Sequence, residues 1–116
     1  MIARVWRGVV ARSRQADYVS YVDDTGVAEY RQAPGCRLSA ILTRDLEPDA
    51  SHTARVEVIA FSIWDDEAAI QAFAGPDITT MVLYPEDQEF LLEPPTLVHH
   101  HVHSFSAPDA QEAPGV

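Results

Sequence analysis

The chain has 116 residues, a formal net charge of −10 at pH 7 and a single cysteine, Cys36. This length fits one domain, and the negative charge argues against nucleic acid and anionic membranes, because both require a basic surface. A lone cysteine forms no internal disulfide, which fits a reducing compartment. No uninterrupted apolar segment resembles a signal peptide or a membrane span, so we expect a cytoplasmic protein.

The first part of the chain predicts a strand, a helix and a second strand. Residues 2–11 carry β-type side chains on both sides, with arginines between them. A helix is predicted over residues 14–25, because Ser13 can cap its start and Gly26 can end it. After a Pro-Gly turn signal, residues 36–46 predict the next strand, and a hairpin loop then leads to the centre of the sequence.

The central stretch predicts a strand that turns directly into a helix. Residues 56–64 are apolar on both sides of the strand, which is typical of a strand in the middle of a covered sheet. Trp64 ends this strand. Asp65 can cap the helix that follows, and Gly75 ends it. One side of the strand holds Val56, Val58 and Ala60, and the other holds Ile59, Phe61 and Ile63.

The remainder of the chain is less regular. Residues 77–83 predict a short helix, and residues 85–92 predict a further helical turn. Residues 96–105 predict the last strand after a Pro-Pro pair that favours extended backbone. The segment 106–116 is rich in alanine, proline and acids and has no apolar pattern, so we expect a flexible tail after a single domain over residues 1–105.

The order strand, helix, strand, strand, helix, strand predicts an α+β fold. Two such halves form the ferredoxin-like split βαβ arrangement with a four-stranded antiparallel sheet. Two helices can cover only one face of this sheet, yet residues 56–63 are apolar on both sides. We therefore expect a homodimer that forms through the uncovered sheet faces.

Several segments, taken in chain order, resemble the antibiotic biosynthesis monooxygenase family. They are Ile2-Ala3-Arg4-Val5-Trp6-Arg7-Gly8, Pro34-Gly35, the strand ending in Trp64, Ala72-Phe73-Ala74-Gly75, and Tyr84-Pro85-Glu86-Asp87 followed by Phe90-Leu91. The resemblance covers roughly residues 1–105. It implies a dimeric α+β barrel with a ligand cavity between the helices and the sheet of each subunit.

The resemblance implies more than one activity. Members include oxygenases that act on aromatic polyketide phenols without metal or flavin, and others that degrade haem. Some oxygenases carry an asparagine and a tyrosine where this chain has Ala60 and Ile70. The haem-degrading members carry a histidine on the second helix, and residues 66–74 contain none, which argues against haem degradation.

Two residues are candidates for catalysis. The indole N–H of Trp64 can hold a substrate oxygen, and the alternative is a core tryptophan that packs the helix onto the sheet. The family often has a histidine at the place of His100, flanked here by valines on its own face. A neutral His100 can act as general base on a phenol, and the alternative is a hydrogen-bonded structural histidine.

Other side chains have weaker claims. Aromatic residues predicted to form the wall of a substrate site, or simply core, are Tyr18, Tyr21, Phe73 and Tyr84. Alternate histidines of residues 99–103 can bind a metal ion, but no acids or further ligands stand at suitable spacing, so we predict no metal site. Arg4 and Arg7 can orient an anionic substrate or meet carboxylates across a dimer.

The leading prediction is a cofactor-independent monooxygenase that acts on a phenolic or aromatic polyketide-like small molecule, with no cofactor and no metal. The substrate would lose a proton, and its anion would itself reduce oxygen in a dry aromatic cavity. The alternative is a non-catalytic dimer that binds a small aromatic ligand on the same fold.

For the variant Trp64→Phe, the sequence predicts a loss of stability of about 1 kcal/mol or less, since only a single modest hydrogen bond would be lost.

Overall fold

The structure is a computed structural model that describes residues 1–106 of the chain. The predicted tail falls, apart from Ser106, outside the described residues. The strands are β1 (Ile2–Ala11), β2 (Cys36–Leu46), β3 (Arg55–Trp64) and β4 (Thr96–His101). The helices are α1 (Gln15–Val22), α2 (Ala28–Gln32), α3 (Glu67–Ala74) and α4 (Asp87–Phe90). No helix within residues 1–106 is long and apolar enough to cross a membrane.

The four strands form one antiparallel sheet in the order β2-β3-β1-β4. This order places the two central strands, β3 and β1, side by side, as in the split βαβ arrangement. The predicted ferredoxin-like α+β fold with a four-stranded antiparallel sheet is therefore confirmed. The predicted bounds of β1 and β2 agree with the structure, and β2 has the predicted turn before it and the predicted loop after it.

The register of the sheet assigns each side chain to one of two faces. Trp6 lies opposite Ala60 and Leu97, and all three face the helices. The next residue, Val5, lies opposite Phe61 and Val98 on the outer face, which no helix covers within residues 1–106. The predicted alternation of β3 is confirmed, since Val56, Val58 and Ala60 belong to the core under the helices.

The first helical region differs from the prediction at both ends. Ser13 lies in a 3-10 turn, Arg12–Arg14, and caps no helix through its side chain. Gly26 does not end the helix, because the chain continues through a π-helical turn, Asp23–Val27, into α2. Val27 and Tyr30 are buried beyond Gly26, so burial of these apolar side chains outweighs the local stop signal.

The second of the two predicted helices, which is α3 in the structure, begins one residue later than predicted. The side chain of Asp66, and not that of Asp65, accepts the free backbone N–H of Ala69 at 2.9 Å. Asp65 instead forms an ion pair with Arg37. Gly75 ends the helix as predicted, with φ at 101°, a conformation that favours glycine.

Residues 75–86 contain no helix or strand, so the predicted helix over 77–83 is wrong. Hydrogen bonds from Arg4 to the carbonyls of Ile78 and Thr80 hold this segment instead. The predicted helical turn within 85–92 is present as α4. The last strand ends at His101 and not at residue 105, because its antiparallel partner β1 begins only at Ile2, which lies opposite His101. Beyond that pair, the N–H of Val102 still donates to the carbonyl of Met1.

Candidate functional site

A small cavity lies between the helix face of the sheet and the helices. Its volume is about 30 Å³, which is room for no more than a few water molecules. The cavity is lined mostly by aromatic and apolar side chains, with one carboxylate among them. The lining residues are Trp6, Tyr18, Val22, Thr25, Gly26, Tyr30, Ala60, Phe73, Val82, Tyr84 and Asp87.

Trp6 forms the floor of this cavity on β1. Its ring lies along the strand above Gly8, where an added Cβ would stand 2.9 Å from Trp6 Cη2 and 2.7 Å from Leu91 Cδ2. Glycine is therefore required at this position for the ring to lie flat. Trp6 is 7% exposed, and its indole Nε1 is buried without a hydrogen-bond partner among the described residues. A buried indole N–H normally has a partner, so Trp6 carries an unused donor on a side chain that lines the cavity.

Asp87 supplies the carboxylate of the cavity. It is 4% exposed. Its Oδ1 accepts the hydroxyl of Tyr18 at 2.9 Å, and its Oδ2 accepts the backbone N–H of Tyr84 at 2.7 Å. Burial first, and the Asp87 carboxylate second, raise the pKa of Tyr18 far above its ordinary value, so Tyr18 remains a neutral donor. The cavity thus holds a buried carboxylate that is oriented by two donors.

A polar cluster built around Arg4 lies beside the cavity. Arg4 is 1% exposed and shares the helix face with Trp6, two residues along β1. Its Nη1 donates to the carbonyl of Ile78 at 2.8 Å, and its Nη2 donates to the carbonyl of Thr80 at 3.3 Å. Burial lowers the pKa of Arg4, while the neighbouring Tyr30 opposes that shift. Arg4 therefore ties residues 78–80 to the sheet next to the cavity wall.

His99 completes this cluster. Its Nε2 lies 3.0 Å from Nη1 of Arg4, and it must accept there, because a guanidinium has no acceptor. Burial first, and the Arg4 charge second, lower the pKa of His99. A neutral His99 can make this contact and a doubly protonated one cannot, so Arg4 holds the imidazole neutral.

A second, larger depression lies elsewhere on the surface. It has a volume of about 820 Å³ and runs between α1 and the edge strand β2. Its polar members, among them Ser13, Gln15 and Ser39, make no buried cluster. The concentration of buried polar groups therefore favours the smaller cavity as the candidate site.

Comparison with solved structures finds proteins of similar fold. A protein of Bacillus cereus, provisionally named an antibiotic biosynthesis monooxygenase, superimposes with a TM-score of 0.60 at 12% identity, over 94% of this chain and 97% of that one. The monooxygenase from the gene ActVA-Orf6 of Streptomyces coelicolor, solved with the ligand nanaomycin D, gives 0.52 at 19% identity, over 93% and 92% of the two chains. A Nitrosomonas europaea protein of unknown function gives 0.58 at 17% identity, over 93% and 94%.

The chain has the fold of the antibiotic biosynthesis monooxygenases. The resemblance noted in the sequence is thereby confirmed at the level of the fold. No protein-family model matches the sequence, and no curated protein matches it significantly. Since the identities to the solved structures are low, function has to be argued from the residues of this chain.

Trp64 lies on the face of the sheet that the helices cover. It is fully buried, and its ring centroid lies 5.5 Å from that of Phe73 and 5.8 Å from that of Tyr30. Its indole Nε1 donates to Oγ of the buried Ser62 at 2.8 Å. Trp64 does not line the cavity, so in this conformation its N–H is directed into the core and not toward a ligand.

His100 lies on the other side of the sheet. It is exposed and stands opposite Ala3 on the outer face, whereas Trp64 and His99 face the helices. The structure therefore does not bring the two predicted catalytic residues, Trp64 and His100, together. A role of His100 as general base requires a ligand on the outer face and stays a prediction.

The predicted aromatic wall is largely assembled at one place. Tyr18, Phe73 and Tyr84 all line the cavity. Tyr21 does not line it but stacks behind it, with its ring centroid 5.8 Å from that of Phe90, and its hydroxyl accepts the backbone N–H of Glu86 at 3.2 Å. Their contact with a substrate stays a prediction.

Sequence reasoning assigned no role to Trp6 or Asp87. The alternation of β1 places Trp6 and Arg4 on one face, which is a signal that the sequence does contain. Asp87 has no such signal, because its partner Tyr18 is 69 residues away in the chain.

Arg7 forms an ion pair with Glu57 of the same chain on the outer face. Within residues 1–106, no group of three or more histidine, cysteine or acidic side chains is arranged to hold a metal ion.

Proposed function

We propose that the protein is a cofactor-independent monooxygenase that acts on a phenolic aromatic molecule. The observation that carries the proposal is the pairing of a partnerless indole N–H, on Trp6, with the buried carboxylate of Asp87 in one aromatic-lined cavity. A donor and a base at one apolar site are what a phenol needs to lose a proton and to hold the resulting charge.

Each group has a defined task in this reaction. Asp87 takes the proton of the phenol, and the N–H of Trp6 stabilises the negative charge on the phenolate oxygen. The electron-rich anion then transfers electrons to molecular oxygen and bonds to it through a ring carbon, and the peroxide takes back the proton. Loss of water from this hydroperoxide leaves one oxygen atom in a quinone product, so the substrate supplies all four electrons and the protein supplies position, charge stabilisation and exclusion of water. Tyr18, Tyr30 and Phe73 provide the apolar wall against which the rings of the substrate stack.

Substrate entry requires the cavity to open. A volume of about 30 Å³ is far below the roughly 300 Å³ or more typical of ligand sites. Val82 and Tyr84 line the cavity and belong to the segment 75–86, which has no helix or strand. Displacement of this segment enlarges the cavity without breaking the sheet, as in enzymes whose loops close over the substrate.

The proposed functional unit is a homodimer formed through the outer sheet faces. The outer face carries apolar side chains that no helix covers within residues 1–106, and Val98 and Leu42 there are 49% and 48% exposed. Apolar surface of this kind on a sheet favours association with a second copy. Arg7 and Arg44 on the same face both pair with Glu57 of their own chain, and Arg7 also lies 3.5 Å from the Glu93 carboxylate.

A specific observation supports the alternative, a non-catalytic dimer that binds a small aromatic ligand. The N–H of Trp64, to which the resemblance assigns a function, is already bonded to Ser62. The two further positions at which some oxygenases carry polar residues hold Ala60 and Ile70. A binding protein would use the same cavity without oxygen chemistry.

Oxygen uptake with an anthrone-type phenol tests the proposal. We expect uptake by the wild-type protein and a fall of about 100-fold in Trp6→Phe, which keeps an aromatic ring and removes the donor. Asp87→Asn should lower the rate by about 100-fold or more through loss of the base. Binding of the phenol without oxygen uptake would support the binding protein instead.

The same assay decides between the cavity residues, Trp6 and Asp87, and the residues that the resemblance assigns, Trp64 and His100. If Trp64→Phe or His100→Ala abolishes uptake while Trp6→Phe and Asp87→Asn leave it unchanged, the assignment to the cavity is wrong. Circular dichroism of each variant shows whether a loss of rate reflects a loss of folded protein.

A further inference from the structure

Arg4 is a buried positive charge without a counter-charge among the described residues. Six of the eight arginines pair with a carboxylate, namely Arg7, Arg12, Arg31, Arg37, Arg44 and Arg55. Arg14 is exposed and lies over the ring of Phe90. Arg4 is the most buried arginine, and its contacts are to two backbone carbonyls and a neutral histidine.

The donors of Arg4 are also incompletely used. Its Nε is buried without a hydrogen-bond partner. Within the described residues, the only other buried side-chain N or O atom without a partner is Nε1 of Trp6, on the same face of the same strand. Two orphaned donors on neighbouring residues of one strand face, in a protein with 18 acidic residues, indicate a site that an acceptor from outside the chain completes.

The position of Arg4 connects it to the cavity. Tyr30 lines the cavity and lies close enough to Arg4 for each to shift the pKa of the other. The carbonyls that Arg4 now holds, those of Ile78 and Thr80, belong to the segment 75–86 that closes the cavity. Displacement of this segment would free both guanidinium edges toward the ligand space.

We propose that Arg4 binds a carboxylate carried by the ligand of this cavity. A guanidinium matches a carboxylate with two parallel hydrogen bonds, which replace its bonds to the carbonyls of Ile78 and Thr80. A monoanion fits better than a phosphate, because only one positive charge lies here within a chain of net charge −10. The inference rests on the cavity of the proposed function and specifies its substrate class as an aromatic hydroxy acid.

Equilibrium binding of two probes that differ by one carboxylate tests the inference. Isothermal titration at neutral pH compares hydroxynaphthoate with naphthol. We expect the wild-type protein to bind hydroxynaphthoate about 10- to 100-fold more tightly, the range expected for a hydrogen-bonded charge pair. Arg4→Met should abolish this preference and leave the affinity for naphthol within about threefold.

Two further variants complete the design. Arg4→Lys keeps the positive charge but cannot form the two parallel hydrogen bonds of a guanidinium, so it should retain only part of the preference for hydroxynaphthoate. Arg12→Met removes an exposed arginine, whose partner is Asp45, and should leave the preference unchanged. Equal affinity of the wild-type protein for both probes, or binding of neither, overturns the inference. It is also overturned if Arg4→Lys and Arg4→Met both keep the full preference of the wild-type protein for hydroxynaphthoate. A carboxylate preference without oxygen uptake refutes the oxygenase and leaves the carboxylate site standing.

Discussion

Replacement of Trp64 by phenylalanine separates what the sequence predicts from what the structure predicts. The sequence suggests a small loss of stability, about 1 kcal/mol or less, if one modest hydrogen bond is removed. In the structure, Trp64 and its acceptor Ser62 are both fully buried, and the Nε1 to Oγ distance is 2.8 Å. The variant therefore removes a donor and leaves a buried hydroxyl with one fewer partner.

The expected magnitude follows from these two consequences. A buried hydroxyl oxygen that has lost its donor costs about 1–3 kcal/mol, and the void left by the smaller ring adds about 1 kcal/mol. We therefore expect Trp64→Phe to lower the free energy of unfolding by about 2–4 kcal/mol. The neighbouring rings of Tyr30 and Phe73 limit how far the site can collapse to fill the void.

A double-mutant cycle with Ser62→Ala isolates the hydrogen bond. The double variant Trp64→Phe/Ser62→Ala should be less destabilised than the sum of the single variants, by about 1 kcal/mol, because the indole N–H and its acceptor are then both absent and neither is left without the other. Urea unfolding followed by circular dichroism gives the values, at one fixed protein concentration so that any dimer contributes equally. Additive single variants, or a loss below about 0.5 kcal/mol in Trp64→Phe, would refute this reasoning.

Three further predictions concern the outer face and the histidines. Light scattering at micromolar concentration should give a dimer, and Val98→Asp should give a monomer, because the charge would be buried at the sheet face; a monomeric wild-type protein would contradict the proposed association. Hydrogen bonds from Arg44 first, and from Arg7 second, hold the pKa of Glu57 below its ordinary 4.5. The ionised Glu57 therefore stabilises the fold fully above pH 4.5, and this stabilisation is lost as the pH falls through the lower pKa of the folded state. In a plot of the urea midpoint against pH, Glu57→Gln should show a smaller fall at acid pH than the wild-type protein. An equal fall in both proteins would argue against the ion pairs of Glu57 with Arg7 and Arg44. Metal analysis of untagged protein should find no stoichiometric zinc, iron or copper at residues 99–103, and a stoichiometric metal lost in His99→Ala would reverse that prediction.

Local sequence signals determined most of the architecture. Alternation with a period of two assigned the side chains of residues 56–64 to two faces, and turn and loop signals set the bounds of β2 as the structure has them. Because the strand over residues 56–63 is apolar on both sides and two helices cover only one sheet face, the sequence also indicated an uncovered sheet surface. Where local and tertiary preferences compete, as at Gly26, the sequence predicted a helix end that burial of Tyr30 removes.

The candidate site depends on pairings that no local pattern contains. The sequence placed His99 and His100 on opposite sides of a strand, but only the register of β4 against β1, across 95 residues, brings His99 to Arg4. The contact of Tyr18 with Asp87 spans 69 residues in the same way. Alternation and propensity are properties of neighbours in the chain, whereas a buried charge finds its partners only when the strands and helices are packed, and for that reason the tertiary structure alone decided which residues form the site.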